Sequence, residues 1–434
     1  MSPETAGVVG IGLLLFLFLL RVPVAFAMAI SGFIGFAYLS SLDSALSLLS
    51  QDISETFSSY PLSVIPMFIL MGSFAFASGI SQRLYKTTYT WVGALRGGLT
   101  IATVLACAGF AAICGSTAAT AATMGRIALP EMKKYKYDMT LATGTVASAG
   151  TLGIMIPPST VFIVYGLLVE QSIGKLFVAG ILPGAILTLL FVATVAILVY
   201  RNPALGPPGS PTTWKAKVKA TGGIVPAMIL FVLAIGGLFL GWFSPTQAGA
   251  IGAGGALLLG LISRELTWKT FFEAGKDGLL TACMVLFIIA GAVLFGHFLA
   301  VSTLPFLLAD WVGNLPIGRM AIMGIIIFIY FIGGFFMDSM ALIVVTIPIF
   351  YPIVQKLGFD PIWFGVVIVL IAEMGVITPP VGVNVFVIKG IAPEIPLHLI
   401  FRGIFPFLAA LIILTILILF VPQIATFLPS LITY

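Results

Sequence analysis

Polar residues that could bind an ion or an organic anion lie beside two proline breaks in an otherwise apolar chain. The first break runs from Gly153 to Pro158 and the second, in the other half of the chain, from Gly375 to Pro380, and each has the pattern Gly-x-x-x-Pro-Pro. A proline pair lacks two N–H donors and its rings clash with the preceding turn, so a helix cannot continue through it. Unwound backbone at membrane depth must be buried in protein or line a cavity. Matching breaks in two halves therefore predict a transporter's binding site.

The side chains at these breaks define a predicted substrate site. The N-terminus of a half-helix is positive and suits an anionic group, whereas its C-terminal end and free carbonyl oxygens suit a cation. Ser159 follows the first proline pair, Thr378 precedes the second, and Asn384 lies one turn beyond it. The predicted substrate-binding set is Ser159, Thr378, Asn384, Pro157 and Pro379.

Two further segments resemble the tips of hairpins that enter the membrane without crossing it. Residues 115–123 are all glycine, serine, threonine or alanine. Such a run either packs helices closely or presents hydroxyl and carbonyl oxygens to a cation, and its position near the first break favours the cation. In the second half, Asp338 costs about 2.5–3.5 kcal/mol at membrane depth, so it must have a partner. We expect it to serve the site or to make a structural hydrogen bond. Glu373, just before the second break, bridges the loop or lies near the site.

The composition is that of a membrane protein. Charged residues make up 8% of the chain, hydrophobic residues 60%, and the mean hydropathy is +1.20, whereas soluble domains carry about 25% charged residues. The net charge of +5 comes from Lys and Arg in short loops, which does not suggest nucleic-acid binding. No Walker or Rossmann glycine pattern is present, so the driving energy must come from an ion gradient or a partner. His297 is expected to be a packed, neutral histidine.

The apolar segments predict an all-α polytopic fold with about ten full spans and two re-entrant hairpins. The spans are predicted at 6–20, 22–41, 61–81, 139–168, 177–200, 223–243, 245–262, 278–300, 361–390 and 403–422, and the hairpins at about 97–134 and 319–357. With the N-terminus outside, sixteen Lys and Arg residues fall inside and three outside. This bias places both termini in the periplasm. Segment 42–59 holds three acids and no base, which is consistent with a helix lying on the membrane surface.

The two halves read as an internal repeat. Pro130 and Asp138 match Pro352 and Asp360 at the same offset that separates the two proline breaks. Each half reads span, hairpin, broken span, span, and the charge count gives the halves opposite orientations, so the repeats are predicted to be inverted. The predicted segments are N-terminal scaffold spans 1–59, repeat 1 at 60–200, a cytoplasmic loop at 201–222, scaffold spans 223–277, repeat 2 at 278–422 and a C-terminal tail 423–434.

Longer motifs resemble a known family. They are Cys-Gly-Ser-Thr-Ala-Ala-Thr at 114–120, Leu-Pro-Glu-Met at 129–132, Gly-Thr-Leu-Gly-Ile-Met-Ile-Pro-Pro-Ser at 150–159, Leu-Phe-Val-Ala-Gly-Ile-Leu-Pro-Gly at 176–184, Leu-Gly-Phe-Asp-Pro at 357–361 and Glu-Met-Gly-Val-Ile-Thr-Pro-Pro-Val-Gly-Val-Asn at 373–384. Together they resemble the large membrane subunit of tripartite ATP-independent periplasmic (TRAP) transporters. The resemblance covers essentially the whole chain.

This resemblance implies Na⁺-driven uptake of an organic acid across the bacterial inner membrane by an elevator movement of the hairpins and broken helices, with two or more Na⁺ ions coupled. It also implies two partners, a small four-span membrane subunit and a soluble periplasmic substrate-binding protein. The small subunit is expected as a separate chain, because this sequence opens on its own first span. Sodium sites are implied between each hairpin tip and the neighbouring break. Carried onto this chain, they comprise Gly115, Ser116, Gly150 and Pro158, and Gly334, Asp338, Gly375 and Thr378. Many relatives have two serines where this chain has Ser116-Thr117, so the hydroxyl is kept.

Several readings stay open at this point. The substrate is expected to be a sialic acid or a C4-dicarboxylate, and no residue decides between them. A stand-alone Na⁺/carboxylate symporter is the main alternative, and a channel is a third. An intramembrane protease would need a paired nucleophile and base, and only His297 is available at depth, so no enzyme activity is expected.

Overall fold

The fold is built from helices, as the composition predicts. The computed structural model describes residues 1–432, which contain no β-strand, so the all-α class is confirmed for them. The last two residues of the predicted tail, Thr433 and Tyr434, lie outside the described residues. The α-helices are α1 Pro3–Leu19, α2 Val24–Leu39, α3 Leu42–Ser58, α4 Val64–Ala77, α5 Ile80–Val92, α6 Gly98–Cys114, α7 Thr117–Lys134, α8 Met139–Ala149, α9 Leu152–Met155, α10 Thr160–Leu168, α11 Ile173–Arg201, α12 Trp214–Thr221, α13 Val225–Phe231, α14 Gly237–Phe239, α15 Pro245–Ile262, α16 Trp268–Ser302, α17 Leu304–Gly313, α18 Arg319–Gly334, α19 Ser339–Lys356, α20 Pro361–Ile377, α21 Val383–Ile391, α22 Leu397–Phe420 and α23 Gln423–Ser430.

The helix bounds follow the predicted repeat. The first hairpin is α6 and α7 and the second is α18 and α19, and their first arms begin at Gly98 and Arg319, at nearly the offset that relates the two breaks. The broken spans are α8 to α10 and α20 to α21, and their first helices begin at Met139 and Pro361, at that same offset. Both Pro–Pro peptide bonds are cis. The same elements thus recur in the same order in both halves.

Matching capping residues start the equivalent helices. Ser116 caps α7 and Asp338 caps α19, each by accepting hydrogen bonds from backbone N–H groups of the first turn. Asp138 and Asp360, which the repeat had paired, cap α8 and α20 in the same way. A side-chain oxygen at this position satisfies a backbone donor that the helix itself cannot satisfy. These caps set where each hairpin turns and where each broken span begins.

The two repeats interlock rather than lying side by side. Helix α8 of the first repeat crosses α22 of the second, α21 packs on α7, and α10 packs on α19. At the first crossing the backbones nearly touch, because a Cβ atom added to Gly403 would lie 2.1 Å from the carbonyl oxygen of Thr140. Each broken helix is therefore held partly by the hairpin of the other repeat.

A second layer of helices packs around α16, which is 35 residues long and contacts α2, α3 and α4. The boundary predicted between 277 and 278 falls inside this continuous helix. The polar first turns, with Lys269, Glu273 and Lys276, read as a loop in the sequence. A capping box at Thr267 starts the helix there instead.

The segment predicted at 42–59 is the amphipathic helix α3. Its Asp52 is buried and lies 3.0 Å from Nδ1 of His297 on α16. His297 is half-exposed and paired with this carboxylate, so the expectation of a simply packed histidine missed its partner. The pair joins α3 to the long helix.

Helix length alone supports fewer spans than the sequence predicts. Within residues 1–432, six helices are long and apolar enough to cross a membrane singly: Ile173–Arg201, Trp214–Phe239, Pro245–Ile262, Trp268–Ser302, Ser339–Lys356 and Leu397–Phe420. Two bent pairs raise the number to eight. One of the six, Ser339–Lys356, is an arm of the second predicted hairpin. The count of ten spans stays a prediction.

The α8–α22 crossing gives a first test of the fold. We expect Gly403→Ala to lower the melting temperature of the purified protein, because the added methyl meets backbone and overpacking costs about 1–3 kcal/mol. Gly254→Ala is the control, since nothing lies within 4 Å of a Cβ atom there and alanine favours a helix. Equal melting temperatures for Gly403→Ala and the unsubstituted protein in a thermal fluorescence assay would contradict the close crossing.

Candidate functional site

The tip of the first hairpin sits directly on the first break. Gly115 is in the left-handed region with φ +67°, and its carbonyl accepts a hydrogen bond of 3.0 Å from the hydroxyl of Thr160. A Cβ atom on Gly115 would lie 2.8 Å from the carbonyl oxygen of Pro158, and one on Gly153 would lie 2.4 Å from that of Ser116. Three of the four residues predicted for one sodium site, Gly115, Ser116 and Pro158, are thus in one contact.

The fourth residue of this predicted site borders the same hairpin. Gly150 packs against α7, where an added Cβ atom would lie 2.7 Å from the Cβ atom of Ala121. The buried hydroxyl of Thr120 is also close to Gly153, because a Cβ atom added to Gly153 would lie 2.8 Å from its oxygen. Carbonyl and hydroxyl oxygens therefore gather where the small residues let the backbones meet.

The second tip sits on the second break through two glycines. A Cβ atom on Gly375 would lie 2.4 Å from the Cα atom of Gly334 and 2.6 Å from its carbonyl oxygen. Close by in the chain, Thr378 donates its hydroxyl to the carbonyl of Met374 at 2.5 Å. The second tip contact therefore resembles the first. Gly375 packs on Gly334, whereas at the first tip Gly153 packs on the carbonyl of Ser116.

Asp338 makes the structural hydrogen bonds that the sequence left open. Its Oδ1 accepts from the N–H groups of Met340 at 2.9 Å and Ala341 at 3.2 Å, which caps α19. The side chain is exposed and also lines the central cavity, so a capping role and a site role are compatible.

One cavity of about 760 Å³ connects both tips. It is bordered by α4 and α16 on one side and by the two hairpin tips and α10 on the other. Sites for small ligands typically measure about 300–1,000 Å³ and combine apolar walls with a few polar groups. Its polar lining includes Ser116, Thr117, Thr123, Thr160, Asp338 and Ser339 from the hairpins and break, and Thr270 and Thr281 from α16.

The predicted substrate-binding residues lie behind this lining. Ser159 and Asn384 are fully buried: the hydroxyl of Ser159 accepts from Phe162 N–H at 3.3 Å, and the amide of Asn384 donates to Ala147 O at 3.1 Å. Pro157 is buried as well, and Pro379 is half-buried. None of the five predicted residues borders the cavity. Thr160, Val376 and Val383 line it at these breaks instead.

Sequence reasoning missed several polar residues of the cavity wall besides Thr160. Ser339 follows Asp338 directly, and Arg126 lies on the second arm of the first hairpin. Glu273 and Asp277 lie in the part of α16 that was read as loop. A periodicity signal existed for Arg126, because Ala119, Ala122 and Arg126 are spaced along one face of α7.

Several buried polar atoms have no hydrogen-bond partner within residues 1–432. They include both carboxylate oxygens of Glu373, Oδ1 of Asn384, Oγ of Ser148, Oγ1 of Thr120 and Oγ of Ser339. A buried polar atom of this kind calls for a water, a proton or an ion. Glu373 is the strongest case, since its side chain is fully buried and an unpaired buried charge is very costly.

The surroundings of Glu373 predict a neutral side chain. We expect Glu373→Gln to keep the melting temperature of the purified protein close to that of the parent, because the amide has nearly the same shape and no charge. Glu373→Ala should lower it by leaving a cavity. A loss in the glutamine variant as large as in the alanine variant would mean instead that an ionised carboxylate holds a cation there.

Two hairpin tips seated on two broken helices around one cavity, in an all-helical apolar chain, define a polytopic membrane transporter. The chain belongs to the family described as the DctM component of tripartite ATP-independent periplasmic transporters, whose family profile matches residues 11–424. The family resemblance of the sequence motifs is thereby confirmed.

Relatives agree with this assignment, and a solved structure shares the fold. The chain is 38% identical over 400 residues to the C4-dicarboxylate TRAP transporter large permease protein DctM of Pseudomonas aeruginosa, covering 90% of this chain and 91% of that protein. It is 30% identical over 412 residues to the sialic acid TRAP transporter large permease protein SiaM of Vibrio cholerae, covering 94% and 95%. The YdaH transporter of Alcanivorax borkumensis shares the fold with a TM-score of 0.66 at 16% identity, over 88% of this chain and 90% of that one.

Proposed function

We propose that this chain is the permease subunit of a Na⁺-coupled importer of an organic acid, in the bacterial inner membrane. The observation that carries the proposal is that both hairpin tips and both helix breaks meet at a single cavity. Two relatives that match most of the chain are C4-dicarboxylate and sialic acid permeases, which supports a substrate of either type; other relatives are isethionate and ectoine permeases. C4-dicarboxylates and sialic acids share a carboxylate, whereas isethionate carries a sulfonate, so the relatives have acidic substrates in common more broadly than carboxylates.

Oxygen-rich contacts at the two tips support the sodium sites. Na⁺ is a hard cation that prefers carbonyl, hydroxyl and carboxylate oxygens. The carbonyls of Ser116, Pro158 and Gly334 lie at the tip contacts, and Asp338 presents a carboxylate beside the second. We infer that the first ion binds among Gly115, Ser116, Gly150 and Pro158 and the second among Gly334, Asp338, Gly375 and Thr378.

The two walls of the cavity support an elevator movement. One wall comes from α4 and α16, which pack on α2 and α15, and the other comes from the interlocked hairpins and broken helices. We infer that the interlocked repeats move as one body against the layer around α16. The moving part then excludes α4, which the sequence had grouped with repeat 1.

The direction in which the cavity extends supports a proposal about the state of the transporter. It extends along α16 to Thr270 and Glu273, beside Lys269 and Lys276, which the charge bias places on the cytoplasmic side. We infer an inward-facing state with both termini in the periplasm.

Two partners complete the proposed system. A small four-span subunit would cover part of the layer around α16, and a periplasmic binding protein would deliver the substrate. A stand-alone symporter with this fold would need neither, which makes the requirement for partners a decisive property.

The sodium sites predict two sensitive substitutions. Ser116→Ala and Asp338→Asn should each weaken Na⁺-dependent uptake of labelled substrate, seen as a higher Na⁺ concentration for half-maximal rate. Asparagine still caps a helix, so the Asp338→Asn defect would come from the lost charge.

Two capping residues away from the cavity serve as matched controls. Ser172→Ala removes a serine cap from α11 and is the control for Ser116→Ala. Asp360→Asn neutralises the aspartate cap of α20 and is the control for Asp338→Asn. Loss of either cap should cost about 0.5–2 kcal/mol of stability and leave the sodium dependence of uptake unchanged. Identical sodium curves for all four variants would eliminate the assigned sites.

The tripartite arrangement is tested by reconstitution. We expect proteoliposomes to accumulate labelled succinate or N-acetylneuraminate only with an inward Na⁺ gradient, the small subunit and the binding protein all present. Saturable uptake by this chain alone would identify a stand-alone symporter. Downhill, non-saturating flux would identify a channel.

A further inference from the structure

One basic side chain faces the central cavity. Among the cavity-lining residues of the part of the chain that the structure describes, Arg126 is the sole Lys or Arg. It is exposed, and within residues 1–432 it has no carboxylate closer than 4.0 Å. A charged side chain inside a membrane protein is costly, so one that faces a wet cavity without an ion pair is a functional candidate by default.

The position of Arg126 on α7 suits a ligand that starts at the hairpin tip. Arg126 comes ten residues after Ser116, which is about 15 Å along a helix. Side chains on a helix lean toward its N-terminus, and the N-terminal end of α7 is the tip. Ala119 and Ala122 line the cavity between them and leave that space open.

The opposite wall carries the complementary charges. Glu273 and Asp277 both line the cavity, and they are four residues apart on α16, so they share one face of that helix. Together with Asp338 they give the lining three acids against one base. A carboxylate in this cavity therefore has one attractive partner, and repulsion grows toward the end formed by Glu273 and Asp277.

We propose that Arg126 binds the carboxylate of the transported acid and moves with it on the hairpin, and that Glu273 and Asp277 on α16 promote its release. Arginine presents paired N–H donors whose geometry matches a carboxylate. When the hairpin faces the acidic pair, the pair competes for Arg126 and repels the bound anion. This inference rests on the proposed import function and names the residues that recognise the substrate's acid group.

Kinetics of the full complex test the recognition step. The complex, with its small subunit and binding protein, is assayed with [¹⁴C]succinate or [¹⁴C]N-acetylneuraminate, whichever the unsubstituted complex transports. Arg126→Gln should raise the KM for substrate by about tenfold or more, as expected for a lost charge-assisted contact. Arg126→Lys should recover part of the difference. Lys134→Gln removes a charge from the same helix outside the cavity and should leave the KM unchanged.

Charge restoration separates recognition from a folding defect. Arg126→Cys is made in a background without the native Cys107, Cys114 and Cys283. A positively charged methanethiosulfonate reagent should restore uptake, and a negatively charged one of similar size should not. Restoration by both reagents, or by neither when the variant is present in the membrane at parental levels, would overturn the assignment.

The release step predicts an effect of opposite sign. The double variant Glu273→Gln/Asp277→Asn should lower both the KM and the maximal rate several-fold, because the anion is held longer. An unchanged maximal rate would overturn the release role. If the unsubstituted complex takes up substrate and Arg126→Gln keeps the parental KM, only this inference is overturned. If the unsubstituted complex shows no Na⁺-driven uptake, the proposed function on which the inference rests is overturned.

Discussion

Burial of unwound backbone is the constraint on which the rest of the structure depends. Each Pro–Pro break frees carbonyl and N–H groups that lipid cannot satisfy. The chain covers each break with the tip of a hairpin, and the cover fits because Gly153 meets the Ser116 carbonyl and Gly375 meets Gly334 without side chains between them. Tip and break are therefore one unit. On the proposed mechanism, a movement that exposes the site to the other side of the membrane would carry both.

The close fit of tip and break also affects which kind of ligand the contact suits. Backbones that meet without side chains bring carbonyl oxygens together, which suits a small hard cation. The N-terminal ends of α7, α10 and α19 are capped by Ser116, Ser159 and Asp338, whereas α21 begins at Gly382 without a side-chain cap. Three of these helix ends are thus partly satisfied before an anion arrives, and among the residues that line the cavity Arg126 is the one with a full positive charge.

The sequence predicted the elements whose signals are local. Proline pairs, glycines and capping residues act on their own turn, so both hairpins, both breaks and the amphipathic helix α3 could be placed without any tertiary information. The start of α16 could not, because its polar turns read as a loop until the capping box at Thr267 is taken into account. His297 and Asp52 lie on helices far apart in the chain, so no local sequence pattern predicts their contact.

The predicted substrate residues show the same limit at finer scale. Neighbouring residues on a helix point about 100° apart, so a position next to a proline break does not decide which residue faces the cavity. At the first break Thr160 faces it and Ser159 caps the helix behind it. At the second break Val376 and Val383 face it in place of Thr378 and Asn384. Adjacency in sequence pointed to the two breaks that border the cavity, and packing determines which of their residues face it.

The two tips are alike in backbone but differ in charge, and this difference bears on coupling. The equivalent caps are a neutral serine at 116 and an ionisable Asp338. On the proposed mechanism a dicarboxylate adds two negative charges next to Asp338, and Arg126 offsets one of the three. Two monovalent cations at the tips would neutralise the remainder. Moving that neutral assembly through the membrane avoids the large cost of carrying net charge across a low-dielectric layer. Coupling to cations then follows from the charge balance of the cavity, and a monocarboxylate would require a different number of ions.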